Sequence, residues 1–111
     1  MNPSFDTLTI PHGLSAAGRK AAKTIVAMLR REERTDTGGC RAFYTPAAWA
    51  ALGNKNGRGS ELVVVYDGGD LRDYFEAPDY VALRDRTVAT LKAAGFRVER
   101  CNGYCSAIYA D

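Results

Sequence analysis

The stretch ELVVVYDGGDLRDYF, residues 61–75, decides how this chain folds. Leu62-Val-Val-Val-Tyr66 is apolar on both alternating sets, the pattern of a strand buried on both faces and so of the middle of a sheet. The run stops at Asp67, and Gly68-Gly69 follow, a pair suited to a turn that requires positive φ. Asp67, Asp70 and Asp73 then stand three residues apart. In one reading Asp67 bonds the backbone amides of the turn, and Asp70 caps a short turn over residues 71–74. In the other, the three carboxylates hold a hard cation such as Mg2+ or Ca2+, or serve a small-ligand enzyme, at the carboxyl end of a strand. The spacing is not that of an EF-hand loop, and no P-loop motif accompanies the glycines. The turn is the expectation, with no metal, cofactor or catalytic residue assigned, and its exposed carboxylates become candidates for recognition.

Outward from this strand, turn and cap signals divide the chain. Phe5-Asp-Thr-Leu-Thr-Ile10 alternates like a half-buried strand and ends at Pro11-His12-Gly13. Ser15 is placed to cap a helix that runs to about Arg34, with Leu14 as its staple and Ala21, Ala22, Ile25, Met28 and Leu29 on one stripe. Residues 40–44 read as a short strand. Thr45-Pro46 then opens a two-turn helix containing Trp49 and closed by Gly53. Residues 54–60 read as an exposed, mobile loop. A second long helix starts at Pro78 and stops at Gly95, with Tyr80, Leu83, Thr87, Val88, Leu91 and Ala94 inward. Two alternating runs flank Asn102-Gly103, a hairpin signal. A three-residue loop pairing Cys101 with Cys105 and Val98 with Ile108 is preferred, because it puts Phe96, Val98, Ile108 and Ala110 on one face. The expected architecture is a single α+β domain, residues 1–111. It has one mixed, mostly antiparallel sheet of about five strands, with two long helices packed on it and a C-terminal hairpin.

The chain's 111 residues, 46% hydrophobic and a quarter charged, make an ordinary domain that needs no metal or disulfide staple. No segment has the length of a membrane span, and the N-terminus lacks a signal-peptide pattern, so a cytoplasmic protein without a membrane partner is expected. Three cysteines, an odd number, are expected as free thiols. With no CxxC pair and only His12 as a histidine, a structural zinc site is not expected. His12 is also the only imidazole that a cysteine nucleophile would have as its base. A Pro-Asp…Glu-x-Lys nuclease core fails at Glu99-Arg100-Cys101.

Charge is lopsided. Through Ser60 the chain carries nine Lys/Arg against four acids, a balance of +5, and beyond it six against nine, a balance of −3. The first helix holds Arg19, Lys20, Lys23, Arg30, Arg31 and Arg34, a set able to follow a nucleic-acid backbone, although Glu32 and Glu33 interrupt it. Aromatic residues are numerous, and Tyr74 and Tyr104 are hard to bury along with the rest. A protein-binding surface is therefore expected from Asp67, Asp70, Asp73 and Tyr74 together with Arg100 and Tyr104 at the hairpin tip.

The segments GCRAFYTPAAWAALG, SELVVVYDGGDLRDYF and LKAAGFRVERCNGYCSAIY resemble small uncharacterised proteins of tailed bacteriophages and prophages, across most of the chain from Gly39. The Val-x-Val-Tyr-Asp-Gly-Gly-Asp turn and the last strand carry the likeness. It implies a bacterial cytoplasm and a small protein that acts by binding, such as an inhibitor of a host defence or host enzyme. The leading expectation is thus a non-enzymatic domain with a host protein as partner. A metal or small-ligand site at the three aspartates and nucleic-acid binding by the first helix are the alternatives.

Overall fold

The computed structural model describes residues 8–35, 37, 40–65, 78–102 and 105–111. Within them the chain forms α1 (Ala16–Arg31), β1 (Phe43–Tyr44), α2 (Pro46–Ala51), β2 (Leu62–Val65), α3 (Pro78–Ala93), β3 (Phe96–Asn102) and β4 (Cys105–Ala110). The four strands make one antiparallel sheet in the order β1-β2-β4-β3. This is an α+β fold.

β2 is the strand that the rest of the sheet is built around. All four of its residues are buried, as the doubled apolar pattern requires. Leu62 and Val64 belong to the larger core, with Ala21, Ala22, Ile25 and Leu29 of α1, Leu91 of α3, and Phe43, Phe96 and Ile108 of the other strands. Val63 and Val65 point the other way, into a smaller core with Trp49 and Cys105. The alternation of a pleated strand thus divides its apolar side chains between two layers.

The caps form where the sequence places them. The Ser15 hydroxyl accepts from the Gly18 amide at 3.0 Å, and the Thr45 hydroxyl accepts from the Ala48 amide at 3.0 Å with Pro46 in the first turn. Gly53, at φ +92°, ends α2. α1 ends at Arg31, three residues short of the expected end. Its C-terminus is a Schellman turn, in which the Arg34 amide donates to the Leu29 carbonyl at 2.9 Å and the Glu33 amide to the Arg30 carbonyl at 3.1 Å. The left-handed position in that turn is Glu33, at φ +56°.

Four expectations are corrected. Among the described residues the sheet has four strands, all antiparallel, where about five in a mixed, mostly antiparallel sheet were expected. The proposed first strand, 5–10, contributes none of them. Leu8, Thr9 and Ile10 are not strand, and residues 5–7 lie outside the described residues. Leu8 is nonetheless buried in the larger core and Ile10 packs against it, so the alternation reports one-sided burial without a sheet ladder. In the hairpin, Val98 does pair with Ile108, but Cys105 pairs with Asn102 and not with Cys101. A register shift between Arg100 and Asn102 leaves Cys101 as the extra residue of a bulge. The bulge lets Val98 keep the face set by the core while the hairpin closes on a shorter connection. Finally, the loop 54–60 is pinned to the smaller core. Gly57 and Ser60 are buried, and the Ser60 hydroxyl donates to the Gly57 carbonyl at 2.6 Å.

α1 approaches the sheet closely at Gly18. A Cβ built there would collide with the Glu61 carbonyl oxygen and stand 3.1 Å from the Glu61 carbonyl carbon. An alanine in a helix is ordinarily worth about 1 kcal/mol more than glycine. Here overpacking against backbone reverses that sign, and Gly18→Ala should lower unfolding free energy by about 1–3 kcal/mol. Urea denaturation measures it, and a stabilised variant would show that α1 does not seat on Glu61. At the other end of the helix, Glu33→Gly relieves a left-handed residue and should raise stability by about 1 kcal/mol in the same assay.

Candidate nucleic-acid interface

α1 presents its core residues and its cations to opposite sides. At 3.6 residues per turn, Gly18, Ala21, Ala22, Ile25 and Leu29 occupy one arc, and all are buried. Arg19, Lys20, Lys23, Arg30 and Arg31 fall within an arc of about 120° on the opposite side, and Arg34 lies beyond the helix end. The helix contains no acidic residue between Ala16 and Arg31. Small residues, Ala16, Thr24 and Ala27, lie among Arg19, Lys20 and Lys23 and line a shallow depression with them. The side chains of Arg19, Lys20, Lys23 and Arg31 have no ion-pair partner among the described residues.

The two glutamates that break the basic run in sequence do not break it in space. Glu32 caps the helix, and its carboxylate accepts from the Arg86 guanidinium of α3 at 2.7 Å. Glu33 is the turn residue beyond it. Between the two long helices Met28, Arg31, Glu32, Arg86, Ala89 and Thr90 line an open groove of about 300 Å³. The groove continues the cationic face at Arg31 and is flanked by a second guanidinium.

Helix stability accounts for Arg30 and Arg31, which stand in the last turn, but not for the cations near the start. The N-terminal turn of a helix favours carboxylates and disfavours cations, yet α1 has no acid in its first turn and carries Arg19 and Lys20 near that end. Arg19 and Lys23, and Lys20 and Lys23, are like-charged neighbours at four and three residues, each pair costing about 0.2–0.5 kcal/mol.

The other expected sites fare differently. Asp67, Asp70, Asp73, Tyr74 and Tyr104 lie outside the described residues. Arg100 is described: it is exposed on β3, on the same side of the strand as Phe96 and Val98, and is paired with Ser106. Among the described residues no group of three His, Cys, Asp or Glu side chains is arranged to hold a metal ion. His12 is exposed in its turn and makes no hydrogen bond to a cysteine among the described residues. No helix is long and apolar enough, among the described residues, to cross a membrane.

The aromatic residues near β1 are structural. Trp49 is buried against Val63, Val65 and Cys105. Its indole N–H donates to the Asn56 side-chain oxygen at 2.6 Å, and the Asn54 amide donates to the Trp49 carbonyl at 3.2 Å. Tyr44 lies between Trp49, at 5.2 Å between ring centroids, and the Arg41 guanidinium, at 4.4 Å. Gly57 fits beneath, where a Cβ would stand 3.1 Å from Val63 Cγ2 and 3.5 Å from the indole. Further along the same face Arg97 covers the Tyr109 ring at 4.5 Å and pairs with Glu99 at 2.8 Å. Asn56 and Gly57 carried no signal in the sequence beyond loop composition.

No family model matches the chain, and neither a curated protein nor a solved structure matches it.

Asn56 is the acceptor that the buried indole depends on. Asn56→Ala should therefore destabilise the domain by about 1–3 kcal/mol, the cost of stranding a buried donor. Thermal unfolding followed by Trp49 emission reports both the loss and the loosening of the loop; an unchanged midpoint would show that water replaces the amide.

Proposed function

We propose that this protein is a non-enzymatic binding domain that holds a nucleic-acid duplex by its phosphate backbone, through the outer face of α1. The observation that carries this reading is the one-sided cationic arc, free of acids from Ala16 to Arg31, whose Arg19 and Lys20 stand near the end where the helix dipole disfavours cations, while Arg30 and Arg31 stand in the last turn, where it favours them. Arg19 and Arg31 are twelve residues apart, about 18 Å along the axis at 1.5 Å per residue. That length is enough to reach phosphates on both sides of a major groove about 12 Å wide. None of the residues in the arc is aromatic, which favours backbone contact over base stacking, and so binding with little regard to sequence.

The reading in which a host protein is bound by Asp67, Asp70, Asp73, Tyr74, Arg100 and Tyr104 has only Arg100 among the described residues. Neither that reading nor the phage-derived inhibitor role gains a specific observation from the fold.

Fluorescence anisotropy with a short DNA duplex tests the proposal. Four contacts, from Arg19, Lys20, Lys23 and Arg31, give a slope of about −3.6 in log affinity against log salt, a loss on the order of 10²-fold between 50 and 200 mM. Lys20→Gln with Lys23→Gln should weaken binding and make the slope shallower by about two contacts' worth, with unfolding unchanged. Binding that ignores salt, or that survives the double substitution intact, would exclude the helix as the interface.

A further inference from the structure

The smaller core contains a pair of thiols that the proposed interface does not use. Cys105 is fully buried, the first residue of β4, packed with Trp49, Val63 and Val65. Cys101 is the extra residue of the β3 bulge, half-buried, and packs against that same cluster. The bulge therefore does more than reset the register. Cys101 lies on the β3 side of the hairpin and Cys105 on the β4 side, and both side chains belong to one layer. Both sulfurs meet the Trp49 cluster, and the Cys101 thiol donates to the Glu99 carbonyl at 4.0 Å. Cys40, the third cysteine, is half-buried and belongs to neither core cluster.

We propose that Cys101 and Cys105 are a reversible dithiol–disulfide site whose reaction partner is a low-molecular-weight disulfide of the glutathione class. Cys101, the more accessible thiol, loses its proton to solvent and its sulfur attacks one sulfur of the small disulfide. That S–S bond breaks, and one small thiolate leaves and takes up a proton. Cys105, deprotonated in turn, attacks the Cys101 sulfur of the mixed disulfide. The second small thiolate departs and is protonated as the Cys101–Cys105 bond closes. Two cysteine thiols are oxidised and one small disulfide is reduced to two thiols. The new bond ties the bulge of β3 to the first residue of β4 across Gly103 and Tyr104.

The setting also determines the rate. Burial, the largest influence, pushes the Cys101 thiol above its ordinary range. Contact with Cys105 pulls it down, the Glu99 carboxylate pushes it up, and the Ala107 amide pulls it down, with a net rise. Cys101 is therefore mostly protonated at neutral pH, and the reaction should accelerate about tenfold per pH unit as the thiolate fraction grows.

The test incubates the full chain with glutathione disulfide and reads intact mass, remaining alkylatable thiols and Trp49 emission. The expected product has lost two thiols, carries no adduct and retains an alkylatable Cys40. Its Trp49 emission changes because a disulfide now lies in the indole's own cluster, and dithiothreitol reverses all of this. Cys40→Ser should behave as the wild type. Cys101→Ser, at a half-buried position that tolerates a hydroxyl, should form no internal disulfide. A wild-type chain that stops at a mixed disulfide, or a peptide map joining Cys40 to either partner, would overturn the proposal.

Discussion

Everything in this fold follows from burying β2 on both faces. A strand whose four residues are all removed from water needs a layer on each side and a neighbour on each edge. α1 and α3 supply one layer, over Leu62 and Val64. Trp49 and the folded loop behind it supply the other, over Val63 and Val65. The edges go to β1 and β4, so that the order β1-β2-β4-β3 places the C-terminal hairpin beside a strand more than thirty residues earlier. The chain is short, and among the described residues its second layer centres on one indole, with Asn56 accepting from the ring N–H and Asn54 donating to the Trp49 backbone carbonyl. That economy explains why a polar loop is so closely tied to the sheet.

The same constraint sets how near α1 must come. A helix seated on β2 at its entry meets the backbone at Glu61, and only a residue without a Cβ fits there. Gly18 is also the donor to the Ser15 cap. The start of the helix and its contact with the sheet are therefore fixed at one residue. From that point the helix phase follows, and with it the direction in which Arg19, Lys20 and Lys23 project.

Local chemistry made much of this legible, and tertiary chemistry hid the remainder. The doubly apolar β2, the caps at Ser15 and Thr45 and the stop at Gly53 are written in residues that act on their immediate neighbours. The alternation of residues 5–10 was readable but ambiguous, since Leu8 and Ile10 gain burial without strand pairing. The hairpin was found but its closure was not. Asn-Gly marks a turn, whereas the bulge at Cys101 is set by which face Val98 must keep. Gly18, Asn56 and Gly57 matter through atoms of residues distant in space or hidden until the loop folds back. The basic helix was visible as composition. What the sequence order obscured was that Glu32 turns away to Arg86, leaving the cationic arc uninterrupted.

The two faces of the domain therefore have different freedoms. On the sheet's second face each described aromatic residue is committed, Trp49 to Asn56, Tyr44 to Trp49 and Arg41, and Tyr109 to Arg97. Changing that face means rebuilding a core. On the outer face of α1, Arg19, Lys20, Lys23 and Arg31 have no ion-pair partner among the described residues. A face under no packing constraint, selected for stability alone, would drift toward carboxylates at its start and mixed charge along its length. Arg19 and Lys20 run against the first tendency, and the like charges of Arg19, Lys20 and Lys23 against the second. They are kept at a cost of a few tenths of a kcal/mol for each like-charged pair, and under the proposed function a partner rich in phosphate would return that energy by replacing mutual repulsion with contact.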